Sequence, residues 1–430
     1  MSDEICNRSL TALRAAIESR EVSSVEVVRA CLDRISAEND ELRTFICVRA
    51  GEALAEAAAA DKEPSAHGML HGVPLAVKDL IDVRGTKTTA ASRVLEDAAA
   101  AEADAECVRR LRAAGAIIVG KTNLHEFAYG GSGAISAFGP ARNPRDHRRV
   151  CGGSSSGSAA AVAAGMCFGA LGTDTAGSVR LPAACCTVVG FKPTWGAVPV
   201  AGVIPLAWSY DHVGPLARSV EDAGTLFAVL AGEAPQWLQP KALRCGVARK
   251  YFCEDLAPEV AAGFERTLAA ARDLGWSLHE IEIEPNEGRR VSNAESWAYH
   301  EHWVAERGEL YDPGTLPRIV NGKKVTVEAY VEARRALELL RERSRAGVDG
   351  VDVVLTPTSP ILPPTLEEIV GPEARELELK MLRNTRPFNV LGWPTVSLPC
   401  GPMVGVQVTS SWGRDWLALS AARALEAALR

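Results

Sequence analysis

Apolar and polar positions change period several times along the chain. Ser23, followed three residues later by Glu26, makes a capping box, and the apolar residues after it recur at helical spacing to about residue 35. Residues 50–60 are an alanine-rich helical stretch, so residues 1–60 read as helices in an outer layer. The texture then becomes mixed. Residues 73–77 are a short β-branched run, residues 104–114 a helix closed by Gly115, and residues 116–119 a buried strand. Residues 154–164 predict a helix of almost wholly small side chains, and residues 168–172 a strand entering a loop that ends near Pro182. Beyond Pro215, amphipathic helices alternate with strands at about residues 242–248, 277–283, 351–355 and 404–409, and residues 414–429 predict a closing helix. No repeat or low-complexity linker breaks the succession. It predicts one α/β domain with helices on both faces of a large mixed sheet.

Composition narrows the function classes. The 430 residues are 47% hydrophobic and 23% charged, and 47 basic against 54 acidic residues leave a formal charge of −7. That balance offers no general attraction to a phosphate backbone, and no stretch clusters Lys and Arg, so nucleic acid is not an expected partner. No apolar run approaches the roughly 18 residues of a membrane span. The first ten residues lack the basic and apolar regions of a signal peptide, so the expectation is a cytoplasmic protein with no membrane partner. The 11 cysteines are odd in number and have no C-x-x-C spacing, so they read as small buried hydrophobes, with no disulfide framework and no metal site.

Two motif matches fail on context. Gly115 to Thr122 satisfies the G-x-x-x-x-G-K-T pattern of a phosphate loop, yet a helix precedes Gly115 and the four residues between the glycines are themselves a strand. Their N–H groups belong to ladder bonds, not to phosphate. Gly153-Ser154-Ser155-Ser156-Gly157 matches the nucleophile elbow centred on Ser155, but the arginine- and turn-rich residues 144–152 before it are no buried strand. His300 and His302 are two apart on a predicted helix and so face different ways, which reads as a solvated helix surface and not a metal site.

A third constellation spans a hundred residues. Lys78 ends the apolar run Val73-Pro74-Leu75-Ala76-Val77, where burial would lower its pKa from about 10.4 and leave a neutral amine able to act as a base. For an isolated lysine, a salt bridge with Asp79 or Asp82 would be the better reading. Two serine loops follow, Cys151 to Ser158 at a helix N-terminus and Gly172 to Pro182, whose small residues could converge N–H groups on a tetrahedral oxyanion.

These residues resemble the amidase signature family, serine hydrolases with a Ser-Ser-Lys triad. The resemblance is close over residues 70–215 and looser over 388–409. It includes Phe191-Lys192-Pro193-Thr194, Asp211-His212-Val213-Gly214-Pro215, Phe388-Asn389 and Gly405 to Gln407 in family order. The two serines lie 178 − 154 = 24 residues apart, and the lysine 178 − 78 = 100 before the second, both at family spacing. The resemblance implies a single amidase domain over residues 1–430, with a helical layer at 1–65, the catalytic loops in 66–215 and a sheet-completing part in 216–430. Its sheet is expected to be mixed, mostly parallel and twisted. Carried over, Ser178 is the nucleophile, Ser154 a bridging serine after a cis peptide, and Lys78 the base. The N–H groups of Thr175, Ala176, Gly177 and Ser178 would form the oxyanion hole, with Ser155, Asp174 and Arg180 supporting the loops.

Departures from the family pattern bear on substrate. Ala176 stands where glycine is common, Trp208 where smaller residues are, and Tyr129, Gly130, Gly131 and Ser132 are expected to line the acyl pocket together with Trp208. Leu181 and Val198-Pro199-Val200 depart from the pattern of the transamidation enzyme that amidates charged tRNA. The reading is therefore a self-sufficient amidase acting on a linear small-molecule amide, with no cofactor and a homodimer as the default assembly. A carbamate, urethane or ureide hydrolase with the same triad is the alternative. The readings from other classes are a nucleotide-binding protein using residues 115–122 and a non-catalytic subunit of an amidotransferase.

Overall fold

The capping box at Ser23 is realised: its side chain accepts from the Glu26 N–H, and the Glu26 carboxylate accepts from the Ser23 N–H. The helix it starts runs over Ser24–Leu42, past the expected end, because Leu42 is itself buried and the turn closes only at Arg43 in the left-handed region. The computed structural model describes residues 2–63, 68–286, 288–348 and 350–430. The boundary expected at 65/66 lies outside the described residues.

Thirteen strands occur among these residues. They are β1 (Phe45–Val48), β2 (Pro74–Lys78), β3 (Ile117–Thr122), β4 (Arg142–Asn143), β5 (Asp146–Val150), β6 (Gly169–Thr173) and β7 (Val189–Lys192). After them come β8 (Val213–Ala217), β9 (Arg244–Ala248), β10 (Ser277–Ile281), β11 (Val353–Pro357), β12 (Thr395–Gly401) and β13 (Val404–Ser410). β4 and β5 pair as a hairpin. The other eleven form one sheet in the order β1-β3-β2-β6-β8-β7-β12-β13-β11-β9-β10. The sheet is mixed, as expected, with parallel pairing in the blocks β3-β2-β6 and β11-β9-β10. The centre and the β1 edge are antiparallel, so four of the ten ladders are parallel, fewer than expected. One of the antiparallel pairs, β12–β13, is a hairpin closed by the two-residue turn Pro402-Met403, too short for a crossover.

Alternation along β2 gives the layering. Leu75 and Val77 join a core with residues of the helices Leu10–Glu18, Glu106–Ala113, Val220–Ala231, Pro258–Asp273 and Asp415–Leu429. Ala76 joins a second core on the opposite face, with residues of Ser24–Leu42, Ala50–Lys62 and the small-residue helix Ser156–Ala163.

Several expectations need correction. Residues 1–60 are not all helical: Phe45-Ile46-Cys47-Val48 is β1, an antiparallel edge strand on β3, and its β-branched and aromatic residues suit that role. The loop after β6 ends at Val179, and Arg180–Cys186 is a helix that tolerates Pro182 in its first turn, where the missing N–H has no intrahelical partner to lose. β7, β8 and β12 escaped the sequence reading, and residue 215, an expected boundary, lies inside β8. His300 is buried, its Nδ1 2.8 Å from the Tyr311 hydroxyl and its ring edge-on to Phe127, so only the His302 side of that helix is exposed. Among the described residues no group of His, Cys, Asp or Glu could hold a metal, and no helix is long and apolar enough to cross a membrane.

The phosphate-loop pattern dissolves into packing. A Cβ on Gly120 would run into the Cys47 carbonyl of β1, Lys121 pairs with Asp79 at 2.7 Å, and the Thr122 hydroxyl meets Ser158 Oγ at 2.7 Å. Gly120→Val is expected to lower stability by about 1–3 kcal/mol through overpacking. The urea-denaturation midpoint measures it, and an unchanged midpoint would contradict the close β1–β3 approach.

Candidate active site

The alternation that turns Leu75 and Val77 to one core turns Lys78, the last residue of β2, toward the N-terminus of the small-residue helix. Its Nζ donates to Ser154 Oγ at 2.8 Å and to Thr173 Oγ1 at 2.7 Å. The side chain is wholly buried, and among the described residues no carboxylate pairs with it. The two acids available to it are committed elsewhere, Asp79 to Lys121 and Asp82 to the Thr88 hydroxyl at 2.7 Å. Burial lowers the Lys78 pKa to about 7, against the opposing pull of Asp174 and Asp211.

The peptide bond between Gly153 and Ser154 is cis, as the family pattern implies. Ser155 is buried, and its hydroxyl donates to the Thr173 carbonyl at 3.2 Å and accepts from the Thr173 N–H at 3.3 Å. It is not the exposed serine of an elbow. Its N–H donates to the Ser178 carbonyl at 3.2 Å, which ties the two serine loops together. Of Ser154, Ser155 and Ser178, only Ser178 borders the cavity that Tyr129, Leu206 and Tyr210 also line. Its hydroxyl makes no hydrogen bond among the described residues, so Ser154 meets Lys78 directly but not Ser178.

Asp174 organises the second loop. Its carboxylate accepts from the N–H groups of Gly177 at 2.8 Å and Val179 at 3.1 Å, and from both Nε and Nη2 of Arg180 at 3.1 and 3.0 Å. Burial opposes the charge, yet the Arg180 guanidinium and nearby Lys192 hold the carboxyl well below the ordinary carboxylate range. Arg180 also donates to the Thr385 carbonyl at 2.9 Å and to Gln407 Oε1 at 2.7 Å, and Asn389 Nδ2 donates to Asp174 at 2.7 Å.

One donor of the expected oxyanion hole is unavailable. The Gly177 N–H is committed to Asp174, because a φ of +129° aims it into the loop and not at the cavity. A Cβ there would collide with the Thr385 hydroxyl, which itself donates to the Ala176 carbonyl at 2.6 Å. The N–H groups of Thr175, Ala176 and Ser178 donate to nothing among the described residues, and all three residues line the cavity. Thr175 is steadied by its hydroxyl bond to Asp211 at 2.5 Å.

The cavity measures about 380 Å³. Tyr129 and Gly130 line it, beside Leu206, Tyr210, Arg318 and Arg375. Gly131, Ser132 and Trp208 do not. The Gly131 carbonyl accepts from the Gly153 N–H at 2.6 Å, and the Ser132 hydroxyl donates to buried Glu378 at 2.7 Å. Asp211 binds the N–H groups of Leu206 and Ala207 and tightens that turn; Trp208 is 45% exposed and borders only a separate hollow of about 30 Å³.

The model of the family described as Amidase matches residues 26–419. The chain belongs to the amidase family. An amidase from Pseudomonas putida is 39% identical, over 91% of this chain and 90% of that protein. One subunit of the glutamyl-tRNA(Gln) amidotransferase from Koribacter versatilis is 33% identical over 98% of both. A crystal structure of an amidase superimposes with a TM-score of 0.90 at 34% identity, covering 98% of this chain and 99% of the other. This amidase-family chain carries site residues the sequence reading missed. Thr173 lies inside the named second loop, and Asn389 and Gln407 inside quoted motifs, whereas Arg318 and Glu378 sit in helices and Thr385 in the turn before one, without a local signal. Arg180→Met, which leaves Asp174 buried and unpaired, is expected to cost about 3–5 kcal/mol in urea unfolding. A loss below about 1 kcal/mol would show that the pair does not hold the loop.

Proposed function

We propose that the chain hydrolyses a small linear amide through an acyl-enzyme on Ser178, with Lys78 as base and Ser154 as proton relay. The observation that carries this reading is the Lys78–Ser154 contact at 2.8 Å on a buried lysine without a carboxylate partner. A lysine in an ion pair would stay protonated, whereas desolvation favours the neutral amine. The Ser178 oxygen attacks the carbonyl carbon as its proton passes to Ser154 and the Ser154 proton to Lys78. Backbone N–H groups of Thr175, Ala176 and Ser178 receive the oxyanion. As the C–N bond breaks, the lysine proton returns through Ser154 to the leaving nitrogen. Water then takes the place of Ser178 in the reverse sequence and frees the acid. Side chains, backbone donors and water supply every proton and electron pair in the scheme, so no cofactor is invoked. We place this reaction in a single cytoplasmic domain, with the homodimer as default assembly.

Because activated carbonyls of several kinds can acylate a serine, carbamates and ureides are the second substrate group. The relatives that belong to glutamyl-tRNA(Gln) amidotransferases favour one further reading, that ammonia released here passes to a partner protein. Against it, Leu181, where the resemblance places glutamine in the transamidation enzyme, is buried in an apolar cluster with Val150, Cys185, Ile369, Met381 and Leu382. Glutamine-dependent transfer that appears only with a partner protein would decide for it.

Four measurements test the triad. A fluorophosphonate probe should label Ser178 and nothing in Ser178→Ala; labelling at Ser155 would overturn the assignment. Ser154→Ala should lower kcat by about 10²–10⁴ while Ser178 still labels, and unchanged turnover would remove Ser154 from the relay. The neutral amine is the active form, so activity should rise with pH through a limb near 7 that belongs to the coupled group. Lys78→Ala should lose amide hydrolysis more than ester hydrolysis, since an alkoxide leaves more readily without a returned proton. Equal loss of both would contradict the relay to the leaving nitrogen.

A further inference from the structure

The cavity at Ser178 has an uneven charge lining. Arg318 and Arg375 line it, and no Asp, Glu or His does. Glu378 lies beneath them, its side chain 3% exposed, 2.8 Å from Arg318 and 3.1 Å from Arg375. Its second oxygen accepts from the Ser132 hydroxyl at 2.7 Å and stands 3.7 Å from His125 Nδ1. Burial pushes His125 down to about 4, so that ring is neutral near pH 7 and adds no charge. One carboxylate thus faces two guanidinium groups. Glu378 engages Nη1 of each arginine, and Arg318 Nη1 also donates to the Tyr129 carbonyl at 2.8 Å. The Nε and Nη2 groups of both arginines have no partner among the described residues. Arg289 and Arg386 line the cavity too, but they also border an adjoining hollow with Asp255 and Glu376, so the excess is reckoned on Arg318 and Arg375 alone.

We propose that the amide hydrolysed at Ser178 carries a second, anionic group, in the simplest case a carboxylate, received by the Arg318–Arg375 pair that Glu378 holds in place. The inference rests on the amidase reading and narrows it to half-amides of dicarboxylic acids and their like. Guanidinium groups fixed on one side by a carboxylate keep their other N–H donors pre-aimed, which favours bidentate carboxylate recognition. A substrate with an ammonium group would meet like charge and no compensating acid. The cavity volume of about 380 Å³ suits a small ligand of this kind.

The test compares ammonia release from the half-amides of C3 to C6 dicarboxylic acids with that from their methyl esters, similar in shape but neutral. At least one half-amide should exceed its ester about tenfold or more in kcat/KM, and the preference should shrink at about 1 M salt. Arg375→Gln, at a half-exposed position, should raise KM for the half-amide and bring the ratio toward one, and Arg318→Gln should do so more strongly. An ester turned over as well as its half-amide, or a ratio unmoved by both substitutions, would overturn the proposal and leave the amidase reading standing. Protection of Ser178 from the fluorophosphonate supplies a readout without turnover. Protection by the half-amide but not by its ester, with no hydrolysis of either, would uphold the anion site and sink the amidase reading instead.

Discussion

The ion pair between Asp174 and Arg180, with neither side chain exposed, is the constraint on which the site depends. Two buried charges are tolerated only when their remaining donors and acceptors are satisfied. That demand draws in the Gly177 and Val179 N–H groups, the Thr385 carbonyl, Asn389 and Gln407. The result fixes the loop that presents Ser178 and couples it to chain more than two hundred residues away. It also explains why Gly177 is not a free oxyanion donor. Its N–H serves the carboxylate, which leaves those of Thr175, Ala176 and Ser178 directed elsewhere.

Two lysines on adjacent parallel strands show how neighbours decide chemistry. Lys78 ends β2 and Lys121 lies near the end of β3, and both side chains are wholly buried. Lys121 faces the Asp79 carboxylate and the Thr88 hydroxyl and is a structural cation. Lys78 hydrogen-bonds two hydroxyls and pairs with no carboxylate, so burial outweighs the more distant pull of Asp174 and Asp211. Because Asp79 turns to Lys121, it is unavailable to Lys78, and the structural pair is a condition for the base role proposed for Lys78.

The arginine pair over Glu378 carries the same logic into the pocket. A single buried carboxylate holds two cations in place without cancelling both, so the lining keeps a positive excess. In the Asp174–Arg180 pair, by contrast, every charge is matched, and that pair is scaffold.

Local pattern was enough for the capping box at Ser23, strands β2, β3 and β6, the small-residue helix and the closing helix, since each rests on periodicity or a short-range bond. It also placed Lys78, Ser154 and Ser178 in one constellation, because family spacing survives in a linear reading. β7, β8 and β12 were not legible, since each interrupts a short apolar run with Gly or Pro, which reads as turn or loop. β1 was hidden by its helical flanks. Side-chain direction was beyond the linear order altogether. That Ser132 turns to Glu378, Trp208 turns outward, Gly177 bonds to Asp174 and Arg318 meets Arg375 depends on loops folding against distant helices. The physical reason is that a buried charge or N–H must find its partner wherever the fold brings one, and only the tertiary structure decides which partner that is.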